Sequence, residues 1–245
     1  MARPSPPSEP VSDVQMNRLL AALPRDDLGR WLPQLGRVRL SQGQVLFEPG
    51  KPPSHAYFPT SALVALLYVM EDGATSEIAV VGNEGMVGVA LFMGGEATPG
   101  RAQVQCAGEG FRLPGHLMTA EFDRSPHVSR LMLRFTQALI AQMTQTAACN
   151  RHHQLHQQLC RWLLLSLDRL PGHELPMTQE LIANMLGVRR EGVTEAALVL
   201  QKAGLIRYGR GLITVLDRPG LEQRACECYA VVKREYDRLL PPAQS

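Results

Sequence analysis

The sequence predicts an α+β fold in three parts: an N-terminal, jelly-roll-like β-roll, one long helix, and a C-terminal winged helix-turn-helix. Three observations carry that expectation. Glycines recur every few residues from Gly36 to about Leu113 and separate short apolar runs. One apolar stripe at helical spacing then runs from Val128 to Thr146. Beyond it, Thr178 to Gly211 reads as a helix, a tight turn, a second helix and a basic hairpin. The expected division is a disordered arm at 1–13, the roll domain at 14–124, the long helix at 125–150, and the helix-turn-helix domain with an extra C-terminal helix at 151–245.

The first dozen residues, MARPSPPSEPVS, have no apolar core, which excludes a secretory signal and suits a disordered arm. Leu19, Leu20, Leu23 and Leu28 then give helical spacing over Val14–Leu35, a small lead-in helix. In the roll, Gln44–Phe47, Leu63–Met70, Ser76–Val81 and Gln103–Ala107 read as strands. Glu71-Asp72-Gly73 is a hairpin turn between two of them.

Ser125-Pro126 marks the start of the long helix, a capping residue followed by proline at the first helical position. Val128, Leu131, Met132, Phe135, Leu139, Met143 and Thr146 share one face. A helix of about 25 residues is about 37 Å long, too long for its stripe to be buried on a small roll alone. Packing on a twin helix in a homodimer is the favoured reading, and a helix lying across its own domain is the alternative.

Thr178 is a good N-cap, and Leu181, Ile182, Met185 and Leu186 follow at helical spacing up to Gly187, where a left-handed turn suits glycine. In the next helix Val193, Ala196, Ala197 and Leu200 face inward and leave Arg189, Arg190, Glu191, Thr194 and Glu195 outside. Arginine can donate two hydrogen bonds to guanine, carboxylates can accept from cytosine, and a helix fits the major groove. Leu205–Leu216 then alternates around Gly209-Arg210-Gly211, a hairpin tip suited to phosphate. With Thr178 and Gln179 opening the first helix, these residues form the candidate surface for double-stranded DNA. A last helix over Leu221–Leu240 carries Leu221, Ala225, Cys228, Tyr229, Val232, Tyr236 and Leu239 on one face, expected to pack on the DNA-binding domain.

Composition limits the remaining classes. The 245 residues carry a formal net charge of +2, so affinity for DNA has to come from local charge. No apolar run reaches the length of a membrane span. Five cysteines at irregular spacing fit reduced thiols, and a cytoplasmic protein is expected. No Walker loop, HExxH, GxSxG or dinucleotide-binding glycine motif is present, so no enzymatic activity is expected.

This order of parts resembles the Crp/Fnr family of bacterial transcription regulators over nearly the whole chain. The resemblance rests on Gly43-Gln44-Val45-Leu46-Phe47-Glu48-Pro49-Gly50, on Tyr57-Phe58-Pro59-Thr60-Ser61, and on Thr178-Gln179-Glu180-Leu181-Ile182-Ala183 with Gly187-Val188-Arg189-Arg190-Glu191. It implies a homodimer that senses a signal in a cyclic-nucleotide-binding-like roll, binds a near-palindromic operator and works with RNA polymerase. Arg190 and Glu191 match the family's reading pair. Glu195 stands where the cyclic-AMP-responsive members carry arginine.

The family's ligand pocket maps onto Gly88, Val89, Arg101 and Ala102. Valine cannot accept the ribose hydroxyl, and Arg101 lies one place late, a slip that on a strand turns a side chain to the other face. Gating by cyclic AMP is therefore not expected, whereas a cyclic nucleotide or other small effector remains the alternative. No cysteine precedes Cys106, which removes Fnr-type iron-sulfur ligation, and no cofactor is expected. Cys149, His153, His156 and Cys160 would share a face of an unbroken helix, but a kink near Asn150–His153 would separate them. Cys226 and Cys228 would diverge on a helix, so no metal is expected.

Overall fold

The computed structural model describes residues 11–240. Three short helices open it, α1 (Val11–Val14), α2 (Arg18–Ala21) and α3 (Arg25–Trp31), with a 3-10 turn at Leu32–Gln34. The single lead-in helix expected over Val14–Leu35 is thus broken, for local reasons. The Asn17 side chain accepts from the Leu19 and Leu20 amides and caps α2, and Pro24 stands immediately before α3. Of the expected arm, residues 1–10 lie outside the described residues and 11–13 belong to α1.

The roll follows as β1 (Gly36–Leu40), β2 (Val45–Phe47), β3 (His55–Pro59), β4 (Leu63–Val69), β5 (Thr75–Val81), the short helix α4 (Ala90–Met93), β6 (Gly100–Cys106) and β7 (Gly108–Pro114). Two antiparallel sheets face each other, ordered β1-β7-β3 and β2-β6-β4-β5. The turn between β4 and β5 is the expected one, where the Asp72 side chain accepts from the Ala74 amide at 2.9 Å and the Met70 amide donates to the Ala74 carbonyl at 2.8 Å. Helix α5 (Gly115–Arg124), which sequence reading did not pick out, leads into α6 (Pro126–His152).

Helix α6 begins where its sequence signals it: the Ser125 hydroxyl accepts from the Val128 amide and Pro126 takes the first position. Its 27 residues extend about 40 Å. The stripe expected to meet a twin helix is instead covered by the chain itself. Val128, Leu131, Met132, Phe135, Leu139 and Thr146 are buried and Met143 is half-buried, against α5, β5 and the last helix of the chain. Phe135 sits so close to Gly85 that a Cβ there would stand 2.3 Å from its ring, and only glycine lets the helix settle at this depth.

The remainder runs α7 (Leu155–Leu167), β8 (Glu174–Pro176), α8 (Gln179–Leu186), α9 (Arg190–Lys202), β9 (Ile206–Gly209), β10 (Leu212–Val215), α10 (Arg218–Arg224) and α11 (Glu227–Leu239). Strands β8, β10 and β9 form a three-stranded antiparallel sheet. The tail departs from expectation twice. It is two helices, because Ala225 and Cys226 are extended. And α11 packs on α6, with only minor contact to α7, while α10 packs on α7, so the two segments follow different axes. Cys226 and Cys228 consequently do not diverge: Cys226 is the N-cap of α11 and both are buried.

One buried polar junction ties these parts together. Arg169, at the end of α7, donates from Nε to Glu84 of the roll at 2.7 Å, from Nη1 to the Leu165 carbonyl at 2.7 Å, and from Nη2 to Gln142 of α6 at 3.1 Å. Tyr236 of α11 donates to the same Gln142 oxygen at 2.9 Å, and the Arg169 guanidinium lies 5.1 Å from the Tyr236 ring centroid. Gln142 donates in turn to the Val80 carbonyl at 3.2 Å.

A second buried titratable group lies on β5. Glu77 accepts from Gln105 at 3.1 Å, and burial pushes its carboxyl up to about 7. In the unfolded chain the same group titrates near 4.5. The folded state therefore holds the proton over that interval while the unfolded chain releases it, and stability falls as pH rises from about 4.5 to about 7. The full loss amounts to about 3 kcal/mol. Glu77→Gln is expected to remove that component of the slope, so that urea midpoints measured at about pH 5 and about pH 8 differ less than in the wild type. An unchanged slope would show that Glu77 is ionised in the folded state throughout.

Candidate DNA interface and effector cavity

The helix-turn-helix is built from local signals. The Thr178 hydroxyl accepts from the Leu181 amide at 3.2 Å and starts α8, and Gly187 ends it in the left-handed region at φ 66°. Arg189 is the N-cap of α9. Val193, Ala196, Ala197 and Leu200 are buried against α7 and α8, which fixes the rotation of α9. Arg189, Arg190, Glu191 and Glu195 are exposed and Thr194 is half-buried on the outward side. The two helices are also pinned by a polar contact, the Thr194 hydroxyl donating to the Gln179 side-chain oxygen at 3.0 Å.

The hairpin tip supplies the third component. Arg210 and Gly211 join β9 to β10 with φ 52° and 75°, both in the left-handed region, which is the two-residue turn that matches strand twist. The tip closes one side of a groove of about 380 Å³ lined by Thr178, Gln179, Glu180, Arg190, Tyr208 and the Gly209–Gly211 turn. Four of the eight candidate DNA-contact residues, Thr178, Gln179, Arg190 and Arg210, thus border one groove. Arg189, Glu191, Thr194 and Glu195 lie outside its lining, on α9 and its cap. Tyr208 was missed by sequence reading. It donates to the Met177 carbonyl at 2.9 Å, and burial pushes its phenol up although the charge of Arg190 acts the other way. Its place in an alternating strand beside the basic tip is the signal that could have found it.

A second cavity, of about 140 Å³, lies between the roll and α6. Gly88, Val89 and Arg101 come together in its lining, whereas Ala102 is fully buried and stands outside it. The one-residue slip therefore does not carry Arg101 away from the cavity. Its charge is nonetheless engaged, since Nε donates to Glu48 at 2.8 Å. The remaining wall is apolar, with Phe47, Leu66, Met86, Leu139 and Met143. A compact anion would have to share Arg101 with Glu48 and would find little other polar surface.

Residues 37–125 match the cyclic nucleotide-binding domain family and residues 157–224 the Crp-like helix-turn-helix domain family. No curated protein matches the chain in sequence. Among solved structures, a transcriptional regulator of the Crp/Fnr family from Thermus thermophilus is 26% identical, with a TM-score of 0.63 over 78% of this chain and 98% of that one. A putative Crp/Fnr regulator from Eubacterium rectale is 18% identical, with a TM-score of 0.67 over 85% and 98%. The c-di-GMP-responsive global regulator CLP of Xanthomonas campestris is 18% identical, with a TM-score of 0.61 over 79% and 100%.

Proposed function

Because the chain belongs to the Crp/Fnr family of transcription regulators, we propose that it works as a homodimer that reads a near-palindromic operator through α9 and holds the duplex with its wing. The convergence of α8, α9 and the Arg210 tip on one groove carries this reading. Arg190 and Glu191 would face base edges, with Thr194 and Glu195 one turn further along. Thr178, Gln179, Arg189 and Arg210 would hold phosphates. No described helix is long and apolar enough to cross a membrane. The chain is read as a cytoplasmic regulator, with RNA polymerase as its partner at a promoter. Selection of bound sequences from a random duplex pool tests the function: an enriched inverted repeat supports it, and no enrichment over input counts against it.

The dimer surface has to be the side of α6 that the chain leaves open. Leu133, Gln137, Ile140, Thr144 and Ala147 are exposed there at alternating spacings of four and three, a seam suited to a parallel or antiparallel twin. Leu133 and Ile140 keep 55% and 52% of their surface exposed and, seven residues apart, stand on the same side of the helix. Ile140→Glu is expected to give monomers by light scattering and to abolish operator preference, since each half-site alone offers too few contacts. A dimer that survives this change, or a wild type that is monomeric at micromolar concentration, would move the interface elsewhere.

The cavity chemistry supports a regulator that cyclic AMP does not gate. An effector must favour the DNA-competent arrangement to act at all, and an apolar cavity whose one arginine is already paired gives a cyclic phosphate little purchase. Operator affinity is expected to be unchanged by cyclic AMP. Micromolar binding by calorimetry that disappears in Arg101→Ala would show instead that Arg101 exchanges Glu48 for phosphate.

A further inference from the structure

The strongest unassigned constellation lies where α6 ends and α11 begins. Cys149, His153, Cys226 and Cys228 each offer one ligand atom, and all four atoms lie within 4.8 Å of one another. Cys149 Sγ stands 3.5 Å from Cys226 Sγ, and Cys228 Sγ stands 3.4 Å from His153 Nδ1. The three thiols are buried together as a cluster separate from the main apolar core. A tetrahedral zinc ion with sulfur ligands at about 2.3 Å and nitrogen at about 2.0 Å spaces its ligand atoms about 3.5–3.8 Å apart. We propose that these four residues form a Cys3His site for a single thiophilic divalent cation, zinc being the ion of matching chemistry.

The surroundings fit a metal-bound histidine and thiolates. His153 turns Nδ1 to the cluster and Nε2 to the Glu227 carboxylate at 3.4 Å, so that the second nitrogen can donate to an acceptor and hold the ring in the ligating tautomer. Gln145 donates to Cys228 Sγ at 3.0 Å, a hydrogen bond that favours the thiolate. Arg161 is buried, forms no salt bridge among the described residues, and donates to the Thr146 hydroxyl of α6 at 3.1 Å, one turn before Cys149. Three thiolates around a divalent ion leave one negative charge, which this arginine offsets. Binding would release the thiol protons to solvent. The extended backbone at Cys226 is what brings the Cys-Glu-Cys segment into a clip, because helical residues two apart would point to different sides.

The ion would lock α11 onto α6 beside the break at His153–Gln154, where the chain turns toward the helix-turn-helix. The site stands on these contacts alone and does not depend on the reading of the DNA interface. The test titrates the full-length, reduced, metal-free protein with zinc and with cobalt. One ion per chain is expected, with a thiolate-to-cobalt charge-transfer band and a raised melting temperature. Cys149→Ser and Cys228→Ser should abolish that uptake. Glu227→Gln keeps every ligand, alters an exposed residue, and should weaken binding by about 10-fold or more while leaving the metal-free melting temperature unchanged. Alkylation of the wild type provides a measurement that needs no variant: zinc should protect Cys149, Cys226 and Cys228. Cys106 and Cys160, whose thiols burial pushes up to about 12, should be indifferent to it. Absence of stoichiometric uptake, a cobalt spectrum without thiolate bands, or a Cys149–Cys226 disulfide forming in place of metal binding would overturn the assignment.

Discussion

Replacing Arg169 by alanine is expected to destabilise the fold by about 3–5 kcal/mol. Glu84 would lose the guanidinium it is paired with inside the protein, and Gln142 would lose one donor while still holding Tyr236. Both partners of the pair are 5% exposed, so water cannot replace the missing guanidinium. Glu84→Ala should cost a similar amount for the reciprocal reason, and the two losses should not add, because the double variant leaves neither charge stranded. Urea denaturation of the three variants checks this. Additive losses would show that the two residues act independently. A loss of this size is a large fraction of the roughly 5–15 kcal/mol that holds a domain together, so the urea midpoint of Arg169→Ala is expected to fall far below that of the wild type.

Arg190→Ala is expected to abolish operator preference while leaving weak binding to any duplex. A lost bidentate contact to a base costs about 1–3 kcal/mol, which is about 5- to 150-fold in affinity for the preferred sequence. Arg210→Ala at the wing tip should weaken all sequences alike and reduce the salt dependence by about one counterion. Competition gel shifts with specific and scrambled duplexes separate the two patterns. If both variants retain wild-type selectivity, α9 is not the reading helix in the way proposed.

Much of this was legible before any coordinates, and the legible parts share a property. The Ser125-Pro126 start of α6, the Thr178 cap and Gly187 stop of α8, and the Glu71-Asp72-Gly73 turn are each satisfied by atoms only a few residues away. The outward set on α9 followed from its inward set by helical period. What the chain did not reveal locally was which surface covers which. The stripe on α6 was correctly periodic, but periodicity cannot say whether a twin or a distant segment of the same chain buries it. Here α11 does, together with β5 and α5. The bend at Ala225–Cys226 carries no glycine or proline and arises because α10 and α11 dock on different helices. That bend also hid the cysteine clip, since a regular helix would have parted the two thiols. Arg101 misled for a related reason: register against a family pattern says where a residue falls on a strand, not which carboxylate waits beside it.

The covering of α6 by α11 has a consequence for how the protein is made. Chains emerge from the ribosome at about 5–20 residues per second, and α11 begins 75 residues after the end of α6. For several seconds the roll can be complete while Gln142, Gln145 and Cys149, on the side of α6 that meets α11 and its cap, still await their partners. One side of the long helix is thus left open for part of the synthesis and closes only when the last helix docks on it.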